Sequence, residues 1–417
     1  MPKTDESGLV QDFWQGGVTF MTTVAIFGAS GYVGSALVER MLAWGTYKIR
    51  PIIHTSGNAW QLARRGMRLW SADLGSREQV REALRGCDVV VNCAWPPQEL
   101  MISGLRNLME VCISEDVKRF VHLSSVAVYG EPPPADSTCE EAEPRAKKGT
   151  YGWYKLQQDR LVEKFHHKGL PSVVLCPPNI SGPNSPYLLE VLETFRKGGL
   201  ALVDGGKWPC NLVDVVNLAS AVENALTCDR PDGKRIFVID DEPITWRDLV
   251  DGLMPLADGA AVPSSISTEE AQEVVRRRRE QEAISLLGVV RQILGLPQTR
   301  DITRGSPFLV RSYGRIRRVT QWLPRGMARR LTALTEGRSR IVKVYSGPGW
   351  SPKLCAHQLR KVRHSSDRAR KQLGYTPPIC FSQSMAIFRQ WYEVYHGYGS
   401  ADWLLLRNLY PHAAQVG

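Results

Sequence analysis

A tyrosine and a lysine stand one helical turn apart at the start of a predicted helix over residues 151–167. Tyr151 and Lys155 occupy positions i and i+4, so their side chains share one face of that helix. A lysine ammonium this close favours the ionised phenol and lowers its pKa from about 10. The spacing therefore predicts that Tyr151 acts as a general acid or base near neutral pH. Tyr154 has Gln158 in the corresponding position, and we interpret it as packing or as part of a substrate wall.

Two serines end a predicted strand upstream of this helix. Ser124 and Ser125 close the strand over 119–124, and a hydroxyl from a neighbouring strand end would hold a substrate oxygen beside the tyrosine. An isolated Tyr-x-x-x-Lys pattern is common and mostly structural. Here it follows a glycine-rich turn and a Ser-Ser strand end in that order, which indicates an active site.

The glycine-rich turn lies between a predicted strand over 24–27 and a predicted helix over 33–44. In its G-x-x-G-x-x-G spacing, Gly28 allows a tight turn and Gly31 lets the backbone approach a pyrophosphate, while Gly34 lets the helix pack on the strand. The amides at the start of that helix face the phosphates. The pattern therefore predicts a dinucleotide site, and the remaining contacts expected within it are Ser30, Tyr32 and Val33.

Further cofactor contacts are predicted at later strand ends. Asp73 and Leu74 follow the third predicted strand, where an acid can accept a hydrogen bond from the adenine amino group. The alternative for Asp73 is a cap for the helix that starts near Ser76. Asn92 and Ala94 end the fourth predicted strand and are expected beside the cofactor.

The second predicted strand, over 49–54, ends without the acid that would bind a free ribose 2′-hydroxyl. It ends in His54, Thr55 and Ser56, any of which could bind a 2′-phosphate, although His54 could also be simply a polar strand end. The cofactor is therefore NAD or NADP, with NADP slightly favoured. In either case the Lys155 ammonium would hydrogen-bond the nicotinamide ribose.

Strands alternate with longer helices through the first half of the chain. This alternation predicts right-handed crossovers and a doubly wound parallel sheet, a Rossmann-type α/β fold with a smaller C-terminal substrate lobe. The predicted parts are a flexible tail at 1–21, the dinucleotide-binding domain at 22–175, the substrate lobe at 176–259 with a strand returning to the sheet at 236–239, a basic helical insertion at 260–345 and the rest of the lobe at 346–417.

The positive charge of the chain is concentrated in that insertion. The 417 residues carry a net charge of +11, and 260–345 holds 17 Lys and Arg against 7 Asp and Glu. The nearly neutral remainder argues against nucleic-acid binding by the whole protein. Apolar residues at helical spacing, with Trp322 among arginines, make 268–334 typical of a helix on an anionic membrane surface. The alternatives are a solvated basic face on the lobe, and an acidic partner or nucleic acid bound by this segment.

Composition excludes several classes of protein. With 43% hydrophobic and 23% charged residues the chain is ordinary and globular, and no apolar run of about 18 residues could span a membrane. The N-terminus is acidic and polar, unlike a signal peptide. The nine cysteines form no Cys-x-x-Cys pair, which argues against a metal site and fits reduced thiols. A cytoplasmic protein is expected, with peripheral membrane attachment left open.

Taken together, these motifs resemble the extended short-chain dehydrogenase/reductase family, which includes nucleotide-sugar epimerase/dehydratases and 3β-hydroxysteroid dehydrogenases. The resemblance covers about residues 22–255 and resumes at 355–392. Its carriers are GASGYVG at 28–34, HLSSVAVYG at 122–130, YGWYK at 151–155, CPPNISGP at 176–183, NLVDVVNLASAVENAL at 211–226 and DEPITWRDL at 241–249.

The resemblance implies roles for particular residues. The family places its catalytic hydroxyl four residues before the tyrosine of a Val-Tyr-Gly turn, which is Ser125 before Tyr129 here. Asn179 matches an asparagine that often contacts substrate, and Pro178 is expected to contact the cofactor. The 4,6-dehydratases have Thr-Asp-Glu where this chain has Ser-Val-Ala at 125–127. No acid is available there for β-elimination, so sugar dehydration is not expected.

The resemblance implies an NAD(P)-dependent oxidoreductase or epimerase with a small-molecule substrate, and a homodimer is left open. Asn179 favours a nucleotide sugar, whereas the 241–249 motif and the amphipathic insertion favour a hydrophobic alcohol or ketone, such as a sterol or polyprenoid. Trp208, in a loop of the lobe, is a candidate substrate contact, with packing as the alternative. Two other functions are a non-catalytic NAD(P)-sensing module, which the intact Tyr-Lys pair counts against, and a membrane-surface scaffold.

Overall fold

The computed structural model describes residues 21–54, 59–63, 66–278, 280 and 349–396. The predicted tail, apart from Met21, and most of the predicted basic insertion lie outside these residues. Two compact units divide the described chain. The first unit draws on 21–192, 209–256 and 360–396, and the second on 193–208, 257–280 and 349–359. Within these residues, no helix has the length and apolar character needed to cross a membrane.

Short apolar stretches of the sequence form the strands. In chain order they are β1 Thr23–Phe27, β2 Lys48–Ile53, β3 Trp70–Ser71, β4 Val89–Asn92, β5 Arg119–Leu123, β6 Ser172–Cys176, β7 Asn179–Ser181, β8 Leu202–Val203, β9 Leu212–Asp214, β10 Arg235–Phe237 and β11 Ser265–Ile266. The first unit is built on a seven-stranded parallel sheet with the order β10-β6-β5-β4-β1-β2-β3. The strand order reverses between β1 and β4, and in doubly wound sheets a dinucleotide binds at this switch point.

Helices connect these strands. In chain order they are α1 Tyr32–Trp44, α2 Trp60–Ala63, α3 Arg77–Leu84, α4 Leu100–Ser114, α5 Tyr151–His166, α6 Pro186–Arg196, α7 Val215–Leu226, α8 Trp246–Leu253, α9 Pro352–Gln358, α10 Asp367–Leu373 and α11 Phe381–His396. A further helical stretch covers 268–278. The predicted doubly wound α/β fold is confirmed.

Both faces of the sheet are covered, which explains why its strands read as continuous apolar runs. In β1, Val24 and Ile26 belong to one buried cluster with Leu37 and Met41 of α1. The alternate residues Ala25 and Phe27 belong to a second cluster on the other face, with side chains of α3 and α4. The central strands are therefore held rigidly, and their carboxyl ends form a firm base for the site.

The predicted boundaries differ from the observed ones mainly at the edges of the sheet. The third strand was predicted over 67–70, but β3 consists of Trp70 and Ser71, because only these two residues pair with β2. The returning strand was predicted at 236–239, whereas β10 pairs with β6 over Arg235–Phe237. All nine cysteines lie in the described residues and are free thiols.

The second unit has a small core of its own, formed by Ala201, Val203, Ile266, Ala271 and Cys355. Strands β8 and β11 pair in parallel there. On the other side of β8, the Gln358 side chain replaces a strand, since it accepts a hydrogen bond from Val203 N at 2.8 Å and donates one to the Ala201 carbonyl at 2.7 Å.

Candidate active site

The glycine turn after β1 has two positions where the protein itself excludes a side chain. Gly28 has a φ of +78°, and a β-carbon there would lie 2.9 Å from the backbone of Ala94. A β-carbon on Gly34 would lie 2.1 Å from the Gly28 carbonyl oxygen. These two glycines therefore let β1, α1 and the end of β4 come together.

Gly31 differs from them, because the surrounding protein leaves room for a side chain. A β-carbon at Gly31 would meet only the Gly28 carbonyl oxygen within 4 Å, at 3.3 Å. The turn is held by hydrogen bonds from Gly31 N to Gly28 O at 3.0 Å and from Ser35 N to Gly31 O at 2.8 Å. The open space over Gly31 fits a pyrophosphate that must approach the backbone and the start of α1.

A cavity of about 280 Å³ begins at this turn and follows the carboxyl ends of the first strands. Its lining includes seven of the predicted cofactor contacts, which are Gly28, Ser30, Gly31, His54, Asp73, Leu74 and Ala94. The other predicted cofactor contacts are not part of this lining. Tyr32, for example, donates a hydrogen bond to the Ser181 carbonyl at 2.6 Å, and Asn92 accepts one from Ala94 N at 3.2 Å.

Asp73 and His54 lie where the adenosine half of a dinucleotide is expected. The Asp73 carboxylate accepts a hydrogen bond from Gly75 N at 2.8 Å. The cap of α3 is Ser76, which accepts from Gln79 N at 3.4 Å, so Asp73 is not the helix cap. His54 is exposed at the end of β2, and Thr55 lies outside the described residues.

Ser125 and Tyr151 are brought together by a close contact between two helices. Ser125 caps a 3₁₀ turn over Val126–Tyr129 by accepting a hydrogen bond from Ala127 N at 3.2 Å. A β-carbon on Gly152 would lie 2.0 Å from the Ala127 carbonyl oxygen, so α5 rests directly on this turn. As a result Ser125 lies close enough to Tyr151 for its hydroxyl to act on the pKa of the phenol, which it lowers.

Lys155 lies one turn further along α5 and is almost completely buried, with 5% of its surface exposed. Its Nζ donates a hydrogen bond to the Leu123 carbonyl at 2.8 Å, at the end of β5. Desolvation lowers the pKa of Lys155 to about 8, although the nearby Asp159 carboxylate opposes the shift.

The predicted lowering of the tyrosine pKa is wrong for these contacts. Desolvation raises the pKa of Tyr151, and the neighbouring Ser125 hydroxyl only partly offsets that effect. The i, i+4 spacing places the lysine on the helix face of the phenol, and the ring keeps 36% of its surface exposed, but the loss of water around the hydroxyl still penalises a tyrosinate. Tyr151 is therefore a phenol at neutral pH and a weaker acid than a free tyrosine.

The sequence reasoning missed Trp95, which follows Ala94 at the end of β4. Its ring stacks on the Tyr151 ring with 4.5 Å between centroids and 18° between planes. Trp95 also lines the cavity, as do Pro96 and Pro97. Its position directly after the predicted contact Ala94 was the one available signal.

It also missed Asp159, which continues the Tyr151–Lys155 face of α5 by one more turn. The side chain is 4% exposed, and a guanidinium nitrogen of Arg235 lies 3.8 Å from its carboxylate. Desolvation raises the pKa of Asp159 to about 6, against the opposing effects of Ser124 and Arg235. Its i+8 spacing from Tyr151 was visible in the sequence.

The predicted substrate contacts are placed as follows. Asn179 is half-buried and starts β7, where it pairs with Leu212 of β9. Pro178 directly precedes it. Trp208 lies in the second unit, where its indole donates a hydrogen bond to Asp204 at 2.9 Å and packs against the core of that unit. The roles of these three residues stay predictions.

Comparison with known families finds one matching model. The model of the NAD dependent epimerase/dehydratase family matches residues 24–239, slightly more than half of the chain. The match includes the glycine turn, Ser125, Tyr151, Lys155 and Asn179.

Two curated relatives each match just over half of the chain. The 2-alkyl-3-oxoalkanoate reductase of Shewanella oneidensis is 27% identical over an alignment of 263 residues, which covers 55% of this chain and 66% of the relative. The decarboxylating sterol-4-alpha-carboxylate 3-dehydrogenase of Homo sapiens is 29% identical over an alignment of 243 residues, which covers 53% of this chain and 63% of the relative. The chain thus spans about two thirds of the length of these relatives.

Among solved structures, the UDP-glucuronic acid 4-epimerase of Bacillus cereus in complex with NAD is similar, with a TM-score of 0.57. It is 16% identical, and the similarity covers 91% of this chain and all of the epimerase chain. At this identity the likeness shows the fold alone.

Proposed function

This chain belongs to the NAD-dependent epimerase/dehydratase family, and from that membership we propose that it is an NAD(P)-dependent reductase. It converts a keto group of a hydrophobic substrate to a hydroxyl, or catalyses the reverse oxidation. The single observation that carries the proposal is the close contact between α5 and the 3₁₀ turn that Ser125 caps, because it supports a meeting of Ser125 with Tyr151, with Lys155 one turn further along α5. Three side chains that can position a carbonyl oxygen and supply its proton thus meet next to the carboxyl ends of β4 and β5.

The cofactor fits the residues present. Gly31, which the protein leaves open, and Ser30 would hold the pyrophosphate, Asp73 the adenine and Lys155 the nicotinamide ribose. When bound, the dinucleotide supplies the hydride for reduction or accepts it in the oxidation. The exposed His54 at the end of β2, with no acid beside it, supports NADP as well as NAD.

In the proposed reduction, the carbonyl carbon gains a hydride and its oxygen gains a proton from the Tyr151 hydroxyl. Ser125 donates a hydrogen bond to the same oxygen and stabilises the negative charge that develops there. The charged form of Lys155 stabilises the tyrosinate left behind, and solvent reprotonates it. Tyr151 is a phenol at neutral pH, and this acid form is the one that reduction consumes.

The hydrophobic substrate class is supported by Trp95, whose ring stacks on the ring of Tyr151. Trp95 also lines the cavity, together with the apolar residues Pro96, Pro97 and Leu100. The two curated relatives are named for keto or hydroxyl substrates with alkyl or sterol groups, which agrees with this class. A nucleotide sugar is the second candidate, and the match of Asn179 to a substrate-contacting asparagine favours it. Residues 125–127 carry no acid for elimination, so we propose no dehydratase activity.

The test is turnover of purified protein with NADH or NADPH and a panel of alkyl 3-oxo esters, ketosteroids and UDP-sugars. Tyr151→Phe should lower turnover by about 10²-fold or more while cofactor binding is retained, because only the proton-donating hydroxyl is removed. Tyr395→Phe, the same change at an exposed tyrosine outside the cavity lining, is the matched control. Equal activity of Tyr151→Phe and the wild type would reject the assignment of the general acid.

We also propose that the basic segment 268–334 attaches the protein to anionic membrane surfaces, as its composition suggests. In the described part, 268–278 is helical and Arg276 and Arg277 pair with Glu273. These pairs neutralise part of the local charge, so the attraction must come mainly from the arginines beyond 280.

A further inference from the structure

Trp95 is unusually exposed for a residue in the middle of a site. It has 64% of its surface exposed, the highest value among the large apolar side chains in the described residues. Aromatic side chains contribute strongly to stability and binding when they are buried, and a tryptophan left open in the unbound protein forgoes that contribution. The exposed indole surface therefore calls for something that covers it.

The position of the Trp95 ring is constrained on several sides. One face stacks on Tyr151, and the Lys155 ammonium lies 5.9 Å from the ring centre. Two prolines follow Trp95 and restrict the backbone. Beyond them, Gln98 donates a hydrogen bond to the Tyr154 hydroxyl, which ties the loop to α5. The loop is thus fastened to the catalytic helix at two successive positions of one helix face.

From this geometry we infer that Trp95 is a specificity-determining residue, whose open surface forms the wall of the substrate subsite and binds a planar or aliphatic apolar group next to the reacting carbonyl. The inference rests on the proposed function, because it takes Tyr151 as the group that meets the substrate oxygen. A molecule whose oxygen reaches the Tyr151 hydroxyl must place its neighbouring atoms along the ring that covers this tyrosine.

The chemistry of the wall selects against a sugar ring. Pro96 and Pro97 have no backbone N–H, so besides their carbonyl acceptors this surface offers only the single donor of the Trp95 indole. Sugar hydroxyls placed against this surface would replace few of the hydrogen bonds that they lose to water, which is costly. An alkyl chain or fused ring loses no hydrogen bonds there and gains apolar burial.

The experiment measures binding without turnover. The protein is saturated with oxidised cofactor, which cannot reduce a ketone, and titrated calorimetrically with methyl naphthyl ketone, with methyl alkyl ketones of rising chain length and with UDP-glucose. The wild type should bind the ketones more tightly as the apolar group grows, and more tightly than UDP-glucose. Trp95→Ala should weaken binding of the naphthyl ketone about tenfold, the order expected for loss of an aromatic stacking partner, and Trp95→Phe should weaken it less.

Tyr395→Ala is the matched control. Tyr395 is 63% exposed and stacks on Trp391 with 5.2 Å between ring centroids, outside the cavity lining, so its removal should leave ketone affinity unchanged. The cofactor affinity of Trp95→Ala is measured in parallel. A loss of cofactor affinity with unchanged ketone affinity would show that Trp95 covers the cofactor and would overturn the inference.

The remaining outcomes test the apolar subsite and the proposed reaction separately. Failure of the wild type to bind any ketone, or tighter binding of UDP-glucose, overturns the inference. With reduced cofactor, ketone binding without turnover would reject the proposed reduction of these compounds and leave the apolar subsite standing. Turnover with the same KM in Trp95→Ala and the wild type would reject the subsite and leave the reaction standing.

Discussion

Adding one methyl group at Gly152 should separate the two halves of the catalytic site. The β-carbon of an alanine there would lie 2.0 Å from the Ala127 carbonyl oxygen and 2.7 Å from its carbon. Both are backbone atoms of the 3₁₀ turn that Ser125 caps, so neither can rotate away. Either α5 or the turn must move, and Tyr151 moves relative to Ser125 in both cases.

The size of the effect follows from the overlap. Real β-carbons essentially never approach another heavy atom closer than 3.0 Å, so a contact of 2.0 Å requires a displacement of about 1 Å. Misplacing a reacting group by about 1 Å costs on the order of 10²-fold in rate. The overpacking itself should lower the free energy of unfolding by about 1–3 kcal/mol. We therefore expect Gly152→Ala to fold, melt at a lower temperature and lose about 99% of its turnover.

The assay combines steady-state turnover, cofactor binding and thermal unfolding. Gly349→Ala is the control, because a β-carbon at Gly349 meets no atom of the described residues within 4 Å and should change neither turnover nor unfolding. Cofactor affinity should survive in Gly152→Ala, since the glycine turn after β1 is separate from this contact. Wild-type turnover and wild-type stability in Gly152→Ala would refute the contact between α5 and the turn, and with it the pairing of Ser125 and Tyr151.

Three other predictions concern the cofactor, the buried acid and the basic segment. Gly31→Val should abolish NAD(H) and NADP(H) binding while the circular dichroism spectrum stays native, because the valine side chain would fill the space left open over the turn. Unchanged cofactor affinity would reject the pyrophosphate site. Burial raises the pKa of Asp159 to about 6, so its contribution to stability is present at low pH and is lost as pH rises through about 4–6. Asp159→Asn should lose this pH dependence of unfolding, and Asp251→Asn, at an exposed position, should keep it. Parallel pH profiles of Asp159→Asn and the wild type would contradict the shift. The protein should cosediment with anionic but not with neutral liposomes through its segment 268–334, and the bound fraction should fall as salt rises. A truncated protein that lacks this segment should not cosediment with either kind of liposome. If the full chain binds neither kind, the arginines of the segment are only solvated.

The parts of the fold that depend on local pattern were predictable. Continuous apolar runs and amphipathic helices predicted the sheet, and the Gly28–Gly34 spacing predicted the turn, since both depend on residues close in sequence. The prediction misplaced strand β3, because the extent of this strand depends on which residues reach β2. The sequence around Trp70 and Ser71 has no local feature that predicts this pairing.

The site was predictable where two residues share an element, and not where they come from different ones. Tyr151 and Lys155 lie on one helix, so their spacing was sufficient. Trp95 comes from the loop after β4, and its stacking on Tyr151 depends on how β4 and α5 pack in three dimensions. Spacing also says nothing about burial, which is why the direction of the Tyr151 pKa shift was wrong.

The two pKa shifts at the centre of the site make Tyr151 and Lys155 depend on each other in proton transfer. Desolvation raises the pKa of Tyr151 and lowers the pKa of Lys155 to about 8. The surrounding protein therefore favours the neutral form of each group as long as the other one is neutral. Donation of the Tyr151 proton to a carbonyl oxygen creates a tyrosinate beside an ammonium, and each then stabilises the other. Below about pH 8 the lysine is already charged, so its ammonium is in place before the tyrosinate forms. Reduction and oxidation pass through the same tyrosinate, so the Lys155 ammonium lowers the energy of the proton transfer in both directions.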